Sequence, residues 1–282
     1  MSRNRNPITA LTATCALLLV NALALPGMAG AAIVTTADGD GADTMIAKRS
    51  NDGGTTIYET DTNYGATGRI GVRTYDHGAP RFEAVFLRFD VSGYISGSFT
   101  GDSTLGLTKW RDSESGLDFL IYGLNDGLDN WTEGDKDGAF GTGTDLTFSN
   151  APGIDQSASF PPNPATNMID TSETSLIDSW NGFTGNKGDE LTFASSDLTT
   201  FLSNDSDGLV TLLLLRDYTT STAAFDDFAS SEATSLDSGS PTGNAGDFAP
   251  SLTFDAIVIP EPGSILLLAL GSLALFRRPR RR

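Results

Sequence analysis

The sequence predicts an all-β fold, a jelly-roll-like antiparallel β-sandwich with long loops. Apolar and β-branched runs recur between clusters of Gly, Asp, Asn and Ser, which is the pattern of short strands joined by turns. No segment with helical periodicity is long enough to build a core. Residues 32–259 form a span of roughly 230 residues, which is enough for one large sandwich domain with a substantial core.

Six runs of the chain carry strand patterns. In residues 85–89, Val85, Leu87 and Phe89 share one face, which is the alternation of a half-buried antiparallel strand. Residues 209–215 are almost continuously apolar and are bounded by turn residues, so they are predicted as a central strand covered on both faces. The remaining predicted strands are residues 105–107, 119–122, 191–193 and 252–259.

The segments between these strands are mostly polar. Residues 134–164 and 230–246 are rich in Gly, Ser, Asp, Asn and Pro and are predicted as surface loops carried by the sandwich. The pattern also allows two short helices, at residues 173–180 and 196–202.

The end of the chain has the order of a sorting signal. Pro260, Glu261 and Pro262 precede an apolar run at residues 265–276, and arginines dominate residues 277–282. As a helix the apolar run would be about 18 Å long, short against the ~30 Å hydrocarbon core, and the arginines would resist translocation. The arrangement resembles the PEP-CTERM sorting signal, which implies that an exosortase recognises residues 260–282 and removes them. An ordinary tail anchor is the alternative.

The start of the chain has the parts of a secretory signal peptide at residues 1–31. Arg3 and Arg5 form a basic start, residues 16–25 are apolar, and residues 29–31 are small. Cys15, the single cysteine, would leave with this segment, so no disulfide is expected in the domain. We expect export to the cell surface or extracellular matrix, with a transient inner-membrane intermediate.

The charge balance is strongly acidic. The whole chain has a net charge of −18, and the 11 cationic and 35 acidic residues between the two signals give that span a charge of −24. Such a surface repels nucleic acid and anionic lipid, so nucleic acid is not a predicted partner and membrane contact is expected only through the tail. Calcium, which is abundant outside cells, is a better candidate.

Eight short segments occur in order along the chain, at residues 42–44, 62–65, 69–72, 86–92, 130–134, 146–153, 228–233 and 249–254. Together they resemble the DNRLRE domains, which are carbohydrate-binding-module-like β-sandwiches related to disaggregatase repeats. The resemblance implies the same sandwich fold and extracellular polysaccharide as a partner. Phe148 stands where the family commonly has tryptophan, and the hexapeptide that names the family is absent.

Residue counts argue against enzymatic chemistry. His77 is the single histidine and no cysteine lies outside the signal peptide, which excludes a Cys/His nucleophile, a His-based zinc site and a multi-His iron site. No Gly-x-Ser-x-Gly nucleophile turn is present. The first hypothesis is therefore a non-catalytic protein that associates with polysaccharide. The alternative is a secreted polysaccharide lyase or glycoside hydrolase, because a catalytic pair of carboxylates could exist among the many acidic residues.

Aspartates in glycine-containing turns predict a calcium site. Asp38, Asp40 and Asp43 lie on a short loop before the first predicted strand, where their carboxylates could converge on a hard cation. Ala42 breaks the EF-hand spacing. Residues 135–138 and 205–208 are shorter versions of the same pattern, and ordinary Asp-Gly turn chemistry is the alternative for all three.

Cations are concentrated in one part of the sequence, since residues 69–111 contain six of the 11. We predict that Arg69, Arg73 and Arg88 share a strand face that contacts an acidic polysaccharide, because the arginine fork matches carboxylate geometry. Tyr75 or Trp110 would supply a surface for stacking on the sugar. Charge balance between neighbouring strands is the alternative explanation.

Overall fold

The computed structural model describes residues 30–50, 56–74, 80–94, 96–112, 117–162, 164–217 and 224–258. Within them the fold is almost entirely β, with a single α-helix, α1, at Ser196–Asn204. The strands are β1 (Gly30–Thr35), β2 (Ala42–Ser50), β3 (Ile57–Tyr58), β4 (Thr62–Asn63), β5 (Arg69–Thr74), β6 (Arg81–Asp90), β7 (Thr100–Thr108), β8 (Leu117–Leu124), β9 (Ala139–Phe140), β10 (Thr174–Phe183), β11 (Glu190–Ser195), β12 (Leu209–Arg216), β13 (Ala224–Ala229) and β14 (Ser251–Ala256).

The strands form two main sheets, and their pairings are antiparallel. The smaller sheet has the order β1-β14-β7-β11, and the larger has the order β10-β8-β12-β6-β2-β3. Strand β5 pairs with β6 and with β13, and β4 pairs with β9 in a separate ribbon. The predicted all-β antiparallel sandwich is confirmed.

The larger sheet is apolar on both faces. Val85 and Leu87 of β6 and Leu212 and Leu214 of β12 belong to the main core, which also includes residues of β7 and β14 in the smaller sheet. Their neighbours on the opposite face, including Leu213, belong to a second core. This arrangement explains the almost unbroken apolar run of β12, because a strand covered on both faces does not alternate. The predicted central strand is confirmed.

The second core corrects the prediction that residues 134–164 are a surface loop. Leu146, Phe148, Ala151 and Ile154 are buried against the outer face of the larger sheet. Phe148 packs edge-on against Phe82 of β6, with ring centroids 6.2 Å apart. The outer face would otherwise expose a large apolar area, so the loop forms a covering layer.

One of the two helix predictions is correct. Residues 196–202 lie in α1, where the Ser195 hydroxyl accepts a hydrogen bond from Asp197 N at 3.2 Å and caps the helix. Residues 173–180 instead lie mainly in β10, which pairs with β8 through two register shifts. Strand pairing satisfies the backbone of this segment, which overrides its weak helical pattern.

Both predicted signal segments fall largely outside the described residues, and the boundaries 1–31, 32–259 and 260–282 stay predictions. Strand β1 begins at Gly30, which pairs with Ala256 of β14. Across the described parts of the chain, no helix combines the length and apolar character needed to cross a bilayer.

Candidate functional site

Two buried aspartates on β13 organise the cations at one end of the sandwich. Asp226 and Asp227 are fully buried, and Lys109 Nζ lies 2.5 Å from Asp226 Oδ1. Arg69 approaches Asp227 Oδ1 at 3.1 Å, and Arg111 pairs with Asp227 Oδ2. Each carboxylate therefore has a cationic partner, as buried charges require.

Glu83 of β6 extends this network. Arg49 lies 2.6 Å from Glu83 Oε1, and Arg73 lies 3.5 Å from Glu83 Oε2. Burial lowers the pKa of Arg73, and the positive charges of Arg81 and Arg69 lower it further. The negative charges of Glu83 and Asp227 oppose this change by raising the same pKa. Arg81 belongs to the same group, because it is the register partner of Arg49 across β2 and β6.

An aromatic ring joins two of these arginines. The Phe225 ring lies 4.6 Å from the Arg73 guanidinium carbon and 4.4 Å from that of Arg111, which is cation–π geometry. The Arg69 and Arg111 side chains are 29% and 31% exposed. We define the arginine cluster as Arg49, Arg69, Arg73, Arg81, Lys109 and Arg111 with Glu59, Glu83, Asp226 and Asp227.

The cluster has a local charge of +2, because six cationic side chains meet four carboxylates. This positive charge contrasts with the net charge of −18 for the whole chain. Charge balance explains most of the concentration of cations seen in the sequence, but it leaves a cationic excess at this end of the sandwich.

The structure does not bring the three predicted arginines onto one face. Arg69 and Arg73 belong to the arginine cluster. Arg88 lies an odd number of positions from Glu83 along β6 and therefore projects from the opposite face of the strand. Arg88 donates to the carbonyls of Asp40 at 2.8 Å, Asp129 at 2.9 Å and Trp131 at 2.6 Å. Its guanidinium holds loops together and does not face a ligand with the other two.

The two predicted stacking residues have different outcomes. Trp110 is half-buried beside the arginine cluster, and its backbone N–H donates to the Asp227 carbonyl at 2.9 Å. Its ring packs against the small apolar group of Ala229, Ala233 and Leu236. Tyr75 lies outside the described residues, and polysaccharide binding by the predicted set stays a prediction.

The three predicted calcium ligands do not lie in one cluster. Asp38 is exposed, and its carboxylate accepts hydrogen bonds from Thr35 N and Oγ1 at 2.8 Å. Asp40 is also exposed, and its backbone N–H donates to Asp90 Oδ2 at 3.1 Å. Asp43 is only 1% exposed, because it is already part of β2 and lies on the same face as the core residue Met45.

Asp43 instead meets two glutamates from distant parts of the chain. One carboxylate oxygen each of Asp43, Glu133 and Glu232 lies within 4.8 Å of the other two. Asp43 N–H donates to Glu133 Oε1 at 2.9 Å, and Ser231 N–H donates to Asp43 Oδ2 at 2.9 Å. We call these three residues the acidic triad. Glu133 is 90 residues from Asp43, so sequence spacing gave no sign of this site.

The triad resists ionisation. Burial raises the pKa of Asp43 to about 7, with a further rise from the charge of Glu232. Burial likewise raises the pKa of Glu133 to about 9, and the charges of Glu232 and Asp43 add to the effect. Three carboxylates at this separation repel one another, so they require a proton or a cation between them.

A second acidic region lies at the loops before β12. Burial raises the pKa of Asp129 to about 7 and that of Asp205 to about 6, and neighbouring aspartates contribute to both rises. Asp205 and Asp207 also line a cavity of about 230 Å³ together with Tyr94 and Phe99. This region includes residues 205–208, the weaker calcium pattern of the sequence.

A family model of the PEP-CTERM protein-sorting motif matches residues 258–282. No curated protein matches the chain. The motif match confirms the interpretation of the tail, and it indicates an exported protein that passes through a membrane-anchored intermediate and is processed by an exosortase. Neither comparison matches the DNRLRE domains or a carbohydrate-binding module, so that resemblance stays a prediction.

Proposed function

We propose that this exported protein is non-catalytic and associates with an acidic polysaccharide at the cell surface or in the extracellular matrix. The observation that carries the proposal is the local charge of +2 in the arginine cluster of an otherwise strongly acidic chain. A polyanion would be repelled over most of the surface and attracted at this end, so the charge distribution would select the binding face.

The geometry of the cluster supports carboxylate recognition. The buried Asp227 carboxylate pairs with both Arg69 and Arg111, and roughly a third of each arginine side chain is exposed to solvent. A guanidinium that is already oriented loses less conformational entropy when it binds a carboxylate with its planar fork. The Phe225 ring lies against the Arg111 guanidinium and helps to hold it in one orientation.

The test measures equilibrium binding of the exported protein to a polyuronate, a sulfated polysaccharide and a neutral glucan. The variant Arg69→Gln/Arg111→Gln removes two positive charges and keeps an amide donor toward Asp227. Its melting curve is measured beside its binding, because the buried Asp227 loses both cationic partners and only variant protein that remains folded at the assay temperature is compared. We expect polyuronate affinity to fall roughly ten-fold, which corresponds to about 1.4 kcal/mol. Wild-type affinity should also fall between 0.1 M and 1 M salt, because the screening length shortens from ~10 Å to ~3 Å.

Lys136→Ala is the matched control, because Lys136 is 30% exposed and pairs with Asp135 away from the arginine cluster. This variant should keep the wild-type affinity. Full affinity in the double glutamine variant would overturn the proposal. So would binding to neutral glucan alone, which would direct attention to the cavity beside Tyr94.

Incubation with the same polysaccharides also distinguishes the binding function from the alternative, a secreted lyase or hydrolase. Neighbouring carboxylates with a raised pKa are a feature of glycosidase acids, and the acidic triad has that feature. Asp43, however, is only 1% exposed, which leaves no room for a sugar beside it. Polysaccharide retention without new reducing or unsaturated ends supports the binding function, and release of such ends would establish the enzyme.

A further inference from the structure

We propose that Asp43, Glu133 and Glu232 bind one calcium ion, which fastens three distant segments of the sandwich together. The inference goes beyond the proposed function, since the acidic triad and the arginine cluster share no residue. It also assigns calcium to a different set from the exposed Asp38 and Asp40.

The separation of the carboxylates suits this ion. Calcium–oxygen distances are about 2.3–2.6 Å, so two ligands on opposite sides of the ion are roughly 4.6–5.2 Å apart. The triad oxygens lie within 4.8 Å of one another, which fits ligands around a single calcium ion. Magnesium requires shorter bonds of about 2.0–2.1 Å and an octahedral arrangement that usually keeps several waters. An all-oxygen donor set also disfavours zinc.

Unpartnered oxygens provide an independent observation. Asp43 is 1% exposed, and its Oδ1 has no hydrogen-bond partner although Oδ2 accepts from Thr36 and Ser231. Glu232 Oε2 is likewise buried without a hydrogen bond. A buried carboxylate oxygen that lacks a donor is costly, and a bound cation would satisfy both oxygens at once.

The charge balance around the triad also requires a cation. Among the residues that the structure describes, no lysine or arginine lies within ion-pair distance of the three carboxylates. The charge of Arg88 lowers the pKa of Glu133, but by less than the hydrogen bond from Asp43 N–H does. The Arg88 guanidinium donates its hydrogen bonds to backbone carbonyls and not to the triad. Two positive charges on one ion would offset most of the repulsion among three carboxylates.

The position of the site indicates what the ion would do. Asp43 belongs to β2, Glu133 precedes the layer that covers the second core, and Glu232 follows β13. An ion bound to all three would fix the covering layer and the loop after β13 to the larger sheet. The existing hydrogen bonds from Asp43 N–H to Glu133 and from Ser231 N–H to Asp43 show that these segments already meet.

The experiment uses the purified exported protein, treated with chelator and then supplied with calcium alone or magnesium alone. We expect calcium to raise the thermal midpoint by several degrees, because a ligand that binds only the folded state stabilises it. Metal analysis should give one calcium per chain, and magnesium at the same concentration should give a smaller shift.

Two variants assign the ion to the triad. Glu133→Gln and Glu232→Gln should each abolish most of the calcium-dependent shift. In chelator both should melt at or above the wild-type temperature, since each removes one repelling charge, so failure to fold is not expected. Asp38→Asn/Asp40→Asn is the matched control and should keep the full shift.

Terbium gives a second measurement that does not depend on the variants. Terbium substitutes for calcium, and Trp131 is two residues from Glu133, so excitation of tryptophan should produce terbium emission that calcium suppresses. The proposal is overturned by chelated protein that shows neither a calcium shift nor bound metal. It is also overturned if the glutamine variants keep the full shift, or if the asparagine control loses it.

Discussion

The buried ion pair of Lys109 and Asp226 allows a quantitative test of how the arginine cluster is supported. Both side chains are 0% exposed, and Nζ lies 2.5 Å from Oδ1. Lys109→Met keeps the length of the side chain but leaves Asp226 buried with one fewer cation. Removal of one partner from a buried pair costs about 3–5 kcal/mol, because the other charge stays desolvated.

The expected loss is large against the total stability of a domain, which is typically about 5–15 kcal/mol. For a domain of this size each kcal/mol shifts the thermal midpoint by about 2–4 °C, so we expect a fall of roughly 6–20 °C. Urea unfolding should show a lower midpoint at an unchanged slope. The double variant Lys109→Met/Asp226→Leu should recover much of the loss, since a well-packed apolar pair is often as stable as a buried ion pair.

Lys187→Met is the control for this prediction. Lys187 is half-buried and its Nζ donates one hydrogen bond to the Asp237 carbonyl at 3.1 Å, so its replacement should cost no more than about 1 kcal/mol. The reasoning fails if Lys109→Met costs less than about 1 kcal/mol. It also fails if the double variant loses as much as the two single variants together, because the pair would then have no energetic coupling.

Two further predictions concern the acidic triad and the covering layer. In chelator the thermal midpoint should fall as pH rises from about 5 to 9, because the folded pKa values of Asp43 and Glu133 lie at about 7 and about 9, above the unfolded values, and the folded state binds more protons. Glu133→Gln should flatten this profile, and a midpoint that rises over the same range contradicts it. Phe148→Ala should cost about 3–5 kcal/mol by urea unfolding, whereas Phe140→Ala, at a 79% exposed position, should be nearly neutral. Equal effects would mean that the covering layer is not part of a core.

Local patterns predicted the elements whose environment is set by their own residues. The apolar run of β12 predicted a strand covered on both faces, which the structure confirms, and residues 196–202 are helical. The alternation of β6 predicted a half-buried strand and was wrong on this point, because Phe82, Ala84 and Phe86 on its second face are buried in the second core. The helix prediction for residues 173–180 was wrong, because pairing with β8 determines their conformation and the local sequence does not show that pairing. Residues 134–164 look polar on average, and their few apolar side chains are the ones that cover the sheet.

The candidate sites were only partly predictable, because both depend on contacts between distant segments. The concentration of cations was visible in sequence, but the pairing of Asp227 with Arg69 across 158 residues was not. Arg88 was separated from its expected partners by the side-chain alternation of β6. Asp43 was chosen with its sequence neighbours, whereas its carboxylate lies beside Glu133 and Glu232.

The most direct test of the proposal is the intact mass of the protein recovered with extracellular polysaccharide from producing cells. We expect a mass that lacks both the N-terminal signal, near residues 1–31, and the residues after about Pro262, because export and exosortase processing precede attachment to the polysaccharide. Recovery of a polysaccharide-associated form that still ends in Arg282 would contradict the proposed sorting route. Absence of the protein from the polysaccharide fraction would contradict the proposed destination.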